Sequence, residues 1–214
     1  MSDPFRLAVL VSGNGTTLQA IIDAIHKKEM PGVEITVVVS SKPDAPALER
    51  AQKAGIETVV MNPKDFPMRL LWCSAMTKEL KKRQVDLVCL AGFLQKLEPC
   101  MVRSFPGKII NTHPALLPKF GGHGMWGKHV HEAVLKAGEK ESGCTVHVVD
   151  EEYDHGASLA QVRVPVLPDD TPETLGRRVQ AEERKLYPKV IKMIVEGKLK
   201  MTEGHPERSE GSLR

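Results

Sequence analysis

Apolar positions along the chain come in short, β-branched runs, each followed by a stretch whose apolar residues recur at helical spacing. Residues 7–11 precede 16–27, residues 33–40 precede 45–54, residues 58–61 precede 68–83, and residues 87–90 precede a further run at 108–111. Strands that are almost continuously apolar are buried on both faces, which requires helices on either side of a parallel sheet. The pattern predicts an α/β fold with a doubly wound, mostly parallel sheet. It changes after residue 144. Two strand-like runs, 145–150 and 159–166, are separated only by an acidic, glycine-containing stretch, which predicts an antiparallel extension. Residues 171–196 then read as a long C-terminal helix, with Thr171 as N-cap, Pro172 in the first turn and Gly197 past the end.

Composition adds limits. The chain has 214 residues, of which 41% are apolar, enough for one full-sized core, so a single domain over residues 5–201 is expected, followed by a disordered polar tail at 202–214. Thirty basic against 27 acidic side chains give a net charge of +3, scattered along the chain, which argues against nucleic acid as a partner. Cys73, Cys89, Cys100 and Cys144 lack any C-x-x-C spacing and mostly sit in apolar runs, so four reduced thiols and no disulfide are expected. With neither a signal-like start nor an apolar run approaching the ~20 residues of a membrane span, a soluble cytoplasmic protein is expected, monomer or homodimer.

Two places carry chemistry. Ser12-Gly13-Asn14-Gly15-Thr16-Thr17 follows the first strand and opens a helix. Glycines there let successive N–H groups converge on an anion at the helix start. Leu18 stands where a dinucleotide fingerprint would have its third glycine, and no Gly-Lys-Ser/Thr follows, so the motif suits a phosphate monoester; a plain connecting turn would look the same. In Asn111-Thr112-His113-Pro114, period two sends Asn111 and His113 to one face at a strand end, where open α/β sheets put ligands. An Asn amide can donate to an oxyanion, and a His can move a proton, although a strand-end His also serves structure alone. Asp154, beside Gly156 between the last two strands, returns to the same end of the sheet. There it either orients His113 and raises its pKa, or is a turn residue.

These motifs, with Ala91-Gly92-Phe93, the run from Ala115 to Pro118 and Asp154-His155-Gly156, resemble in order and spacing the folate-dependent formyltransferases, and among them the glycinamide ribonucleotide formyltransferase family. The resemblance extends from about residue 7 to 201 and implies a Rossmann-like fold. It implies formyl transfer from 10-formyltetrahydrofolate, a co-substrate, to the amine of glycinamide ribonucleotide in purine synthesis, with no metal. The catalytic groups it implies are Asn111, protonated His113, and Asp154 keeping His113 charged. Gly15, Thr16 and Thr17 would hold the phosphate, and Gln180 and Glu183 the ribose and glycinamide part. Arg69, Leu94, Gln95, Lys96 and Leu97, with Asp150, Glu151, Glu152 and Tyr153, would border the folate.

The chain departs from the family pattern at several positions. Thr17 stands where Asn is usual, Gln95 where many members have Arg, Ala115 where Ser is common, and His155-Gly156-Ala157 where Gly-Gly-Pro is frequent. A glycine-rich stretch at 121–128, carrying Trp126, replaces a short Pro-Gly turn and is either a cover for the folate or substrate, or a surface insertion. Hydrolysis of formyltetrahydrofolate by the same trio is a rival reading, disfavoured because the first strand begins within ten residues of the start and leaves no room for a preceding regulatory domain. A tRNA formyltransferase is disfavoured for want of a second basic domain. A non-catalytic phosphate-ligand sensor would not need a proton-moving set. His129 and His131 form no recognisable metal set with their neighbours.

Overall fold

The computed structural model describes residues 3–201; the expected polar tail at 202–214 lies outside the described residues. Five strands, β1 (Phe5–Val11), β2 (Val33–Ser40), β3 (Thr58–Val60), β4 (Leu87–Leu90) and β5 (Ile109–His113), are joined in parallel. Two more, β6 (Glu141–Val148) and β7 (Ser158–Pro165), add antiparallel to one edge, completing a sheet of order β3-β2-β1-β4-β5-β6-β7. The order reverses direction between β1 and β4, and the carboxyl ends of those strands flank the crevice where such sheets take ligands.

Both-face burial is literal in β1. Leu7, Val9 and Val11 face one core, and Ala8 and Leu10 face the other. The first core receives α1 (Thr16–His26), α2 (Pro46–Lys53), α5 (Lys128–Lys136) and α6 (Pro172–Val195) through Leu18, Ala47, Val134, Val179 and Tyr187. The second receives α3 (Arg69–Lys82) and α4 (Pro99–Ser104) through Trp72, Met76, Leu80 and Met101. Every long helix and every strand but β6 stands close to its expected bounds; β6 was expected at 145–150 and begins at Glu141. The short helices α4 and α5 were not foreseen, because six and nine residues hold too few turns to establish a helical period. No described helix is long and apolar enough to cross a membrane.

The cysteine expectation is corrected for one pair. Cys89 and Cys144 are buried free thiols, whereas Cys73 on α3 and Cys100 on α4 are joined as a disulfide, their Cα atoms 6.6 Å apart. The packing of α3 on α4 brings them together, and no local spacing could have announced it.

The closing helix α6 starts in a capping box in which Thr171 and Thr174 exchange side-chain to backbone hydrogen bonds of 2.9 and 3.3 Å. Its middle is tied to the sheet by Tyr187. That ring is fully buried, and its hydroxyl lies 3.1 Å from the Leu90 carbonyl and 3.0 Å from the Ile110 carbonyl, donating where β4 and β5 approach the crevice. Tyr187→Phe keeps the ring and strands both acceptors, so it is expected to cost about 1–3 kcal/mol in urea unfolding. An unchanged unfolding free energy would mean that the tether carries no stability.

Candidate active site

A cavity of about 820 Å³ opens over the carboxyl ends of the parallel strands. Its walls are the β1–α1 turn, residues 90–97 after β4, the end of β5, the β6–β7 loop, residues 122–128 leading into α5, and one face of α6. The size is that of a small-molecule site.

At the β1–α1 turn, Gly15 holds φ at 70° as the N-cap of α1, which has no side-chain cap. A Cβ on Gly15 would lie 2.6 Å from that of Ala47, so glycine is required both for the turn and for the approach of α2. The loop is fixed from behind by Ala47 N–H donating to Gly13 O at 3.1 Å and Arg50 Nε to Asn14 O at 2.8 Å. First-turn N–H groups of α1 are therefore left to a ligand, as an anion seat requires. The Thr17 hydroxyl is already committed: it donates to Glu183 Oε1 at 2.5 Å, across to α6. The hydroxyl hydrogen is thus engaged within the protein, while Thr17 still lines the cavity. Burial raises the Glu183 carboxyl above its ordinary range, against the pull of the Thr17 bond and Arg184. Gln180, one turn earlier on α6, lines the cavity.

Asn111 and His113 stand at the end of β5, opposite His147 and Thr145 of β6. Asp154 reaches them from the β6–β7 loop with φ at 54°, a strained angle for a residue other than glycine. The neighbouring Gly156 allows that loop to close, because a Cβ there would overlap the Val148 carbonyl. One Asp154 oxygen lies 3.4 Å from His113 Nδ1 and accepts the Gly122 N–H at 3.0 Å; the other lies 3.5 Å from His147 Nε2. His113 Nε2 lies 2.7 Å from the Phe120 carbonyl. A carbonyl only accepts, so Nε2 carries a proton, and Nδ1 is left to face Asp154 and exchange protons. By the same logic the Val148 carbonyl, 2.9 Å from His147 Nδ1, holds a proton there and leaves His147 Nε2 to accept from Asn111 Nδ2 at 3.2 Å. His147 is the member of this cluster that sequence reasoning missed. Its signal was the alternation of Thr145 and His147 on a strand antiparallel to the one bearing Asn111 and His113.

The electrostatics correct one expectation. Burial pushes the His113 pKa down; Asp154 and the Phe120 carbonyl push back, His147 adds to the fall, and the net direction is below 6.5. The resting imidazole is neutral at neutral pH, so Asp154 does not keep it charged there. For Asp154, burial works upward, but the His147 contact, the His113 charge and the Gly122 N–H outweigh it and hold the carboxyl below its ordinary value. No cysteine competes as a nucleophile, since burial pushes the Cys144 thiol up to about 12 and Cys89 higher still.

Opposite this cluster, Leu94, Gln95, Lys96 and Leu97 line the cavity, with Asp150, Glu152 and Tyr153. The Lys96 ammonium sits 5.0 Å from the centre of the Tyr153 ring. Two residues expected at this border do not line it. Glu151 turns outward to Arg103 at 2.7 Å, and Arg69 lies behind the 94–97 segment, paired with Glu98 at 2.8 Å. Trp126 does line the cavity, half exposed and edge-on to His129 at 5.0 Å, so the glycine-rich stretch forms a wall of the site. His131 on α5 lines it too, buried, with Nδ1 lacking a hydrogen-bond partner. Among the described residues no group of three or more His, Cys, Asp or Glu side chains could hold a metal.

Known proteins resemble this chain in sequence and fold. A family model described as formyl transferase matches residues 5–191. A phosphoribosylglycinamide formyltransferase of Haemophilus influenzae is 41% identical over 196 residues, covering 92% of this chain and 90% of the relative. The trifunctional purine biosynthetic protein adenosine-3 of Drosophila melanogaster is 44% identical over 194 residues, 90% of this chain; the chain spans only 14% of that protein's length. Among solved structures, glycinamide ribonucleotide transformylase 1 from Symbiobacterium toebii superposes with a TM-score of 0.87 at 38% identity, covering 95% of this chain and 96% of that one.

The buried imidazoles make stability depend on pH. His113 and His131 both have folded pKa values pushed below 6.5, chiefly by burial. The folded state thus prefers them neutral, and the stability they contribute is present in full above 6.5 and lost as the pH falls through their folded values. The unfolding free energy is expected to decline as the pH falls below 6.5, with a shallower slope in His131→Gln. A slope unchanged by that substitution would remove His131 from the account.

Proposed function

The chain belongs to the formyl transferase family, and on that premise we propose that it transfers the formyl group of 10-formyltetrahydrofolate to the primary amine of glycinamide ribonucleotide. One observation carries the reading: the Asn111, His113, Asp154 and His147 cluster opens on the same cavity as the uncapped start of α1. Proton-moving groups beside an anion seat suit a phosphorylated acceptor.

The amine nitrogen attacks the formyl carbon directly, forming the new C–N bond while the carbonyl π electrons move to oxygen. Asn111 has one amide hydrogen bonded to His147, and the other is free to donate to the oxyanion. Neutral His113 takes a proton from the attacking nitrogen at Nδ1, directly or through water held by Asp154. As imidazolium beside Asp154 it stabilises the oxyanion, then gives the proton to the departing folate nitrogen as that C–N bond breaks. The Phe120 carbonyl keeps Nδ1 the working nitrogen throughout. Gly15, Thr16 and the Thr17 backbone seat the phosphate; Gln180 and Glu183 meet the ribose and glycinamide part; residues 94–97, Asp150, Glu152 and Tyr153 border the folate. Hydrolysis with water as nucleophile would leave the seat at α1 without a purpose.

Formyl transfer followed with and without glycinamide ribonucleotide tests the reading, since turnover independent of the amine would make the chain a hydrolase. Asn111→Ala and His113→Ala are each expected to lower kcat by about 10²–10³. Asp154→Asn is expected to lower kcat as well and to move its acid limb to lower pH, because Asp154 is what raises the His113 pKa. Near-normal turnover in the first two, or an acid limb that stays in place in the third, contradicts these roles.

A further inference from the structure

His131, on α5, is buried and lines the cavity, yet the protein gives it nothing to bond to. Nδ1 is sealed from solvent with no partner, and Nε2 enters no hydrogen bond among the described residues. A buried polar ring left in this state calls for a partner from outside the chain. Its Nε2–Cδ2 edge is turned to α6, where a Cβ on Gly176 would come within 3.2 Å of Nε2 and 3.0 Å of Cδ2. Glycine inside a helix costs about 1 kcal/mol relative to alanine, and here it leaves room for the ring.

The place of that edge is defined by α6. Gly176, Gln180 and Glu183 line the cavity from one face of the helix, and Glu183 holds the Thr17 hydroxyl at the start of α1. Gly176 lies two turns before Glu183, ~10 Å along the axis, so His131 stands well away from the anion seat. His113 is close enough to act on the charge of the ring, which puts His131 toward the reacting end of the cavity. Burial keeps the imidazole neutral at neutral pH, and a proton on Nδ1 would face no acceptor. The proton therefore stays on Nε2, as a single neutral donor.

We propose that His131 is a binding residue for the amine substrate, its Nε2–H donating to the carbonyl oxygen of the glycinamide group. This rests on the functional reading above. With the phosphate on α1 and the amine at Asn111 and His113, the amide is the part of the ribotide next to the amine, and its carbonyl is an uncharged acceptor that suits a neutral donor. The bond fixes the amide plane and so the direction from which the amine meets the formyl carbon. It acts only on ligands that carry the amide, since the phosphate and ribose have partners of their own.

The test is calorimetric binding of glycinamide ribonucleotide and of ribose 5-phosphate, which lacks the glycinamide group, to wild type, His131→Leu, His131→Gln and Gly176→Ala, with KM values for both substrates. Loss of one neutral hydrogen bond in His131→Leu is expected to weaken glycinamide ribonucleotide about tenfold and to raise its KM to match, with ribose 5-phosphate affinity and the folate KM unchanged. His131→Gln retains an N–H donor and is expected to recover most of the affinity. Gly176→Ala leaves His131 in place but displaces its ring by a few tenths of an ångström, and is expected to weaken glycinamide ribonucleotide alone, by a smaller factor. That variant carries the test if His131→Leu does not fold. Unchanged affinity for glycinamide ribonucleotide, equal weakening of the two ligands, or glutamine no better than leucine overturns the proposal. Wild type that binds ribose 5-phosphate but neither binds nor formylates glycinamide ribonucleotide would instead overturn the functional reading, and this inference with it.

Discussion

A carboxylate removed from water needs partners, and Asp154 accepts the Gly122 N–H from the loop after β5 while standing beside the rings of His113 on β5 and His147 on β6. The Gly122 contact alone joins residues 32 positions apart in the chain. It also explains why a non-glycine residue tolerates a left-handed backbone angle at Asp154. The strain is offset locally by the hydrogen bond from the Gly122 N–H to the carboxylate, which is largely buried.

Around that contact the architecture divides the labour. Rigid elements present the reacting groups: Asn111 and His113 ride on a strand buried on both faces, and His147 faces Asn111 in register. Loops present the binding surfaces, and each is tied back by specific bonds, Ala47 to Gly13 on one side and Arg69 to Gln95 and Lys96 on the other. Two stretches of the irregular backbone that lines the cavity are thus anchored from behind. Tyr187 adds a tie from beneath, reaching two neighbouring strands from the helix packed on them.

Much of this was legible in the residues. Continuous apolar strands announce a parallel sheet because burial on both faces leaves no polar positions, and β1 is the plain case. Asn111 and His113 were legible because spacing by two is a property of one strand. His147 was not, since its place depends on the register between two strands, which no local pattern encodes. The charge state of His113 was misjudged for a similar reason: the nearby carboxylate is visible in the chain, but the desolvation that outweighs it belongs to the packed structure. Glu151 and Arg69 carry the right chemistry for a ligand border yet find partners on its outer side. The Cys73 and Cys100 bond joins neighbouring helices and leaves no trace in spacing.

The hydrogen bond between Thr17 and Glu183 links residues 166 positions apart and locks the first helix of the fold to its last. Because it lies inside the cavity wall, the gap between the start of α1 and Gln180 is set by the protein before anything enters. That side of the cavity acts as a gauge of fixed span. What enters on that side meets a width the fold has already set.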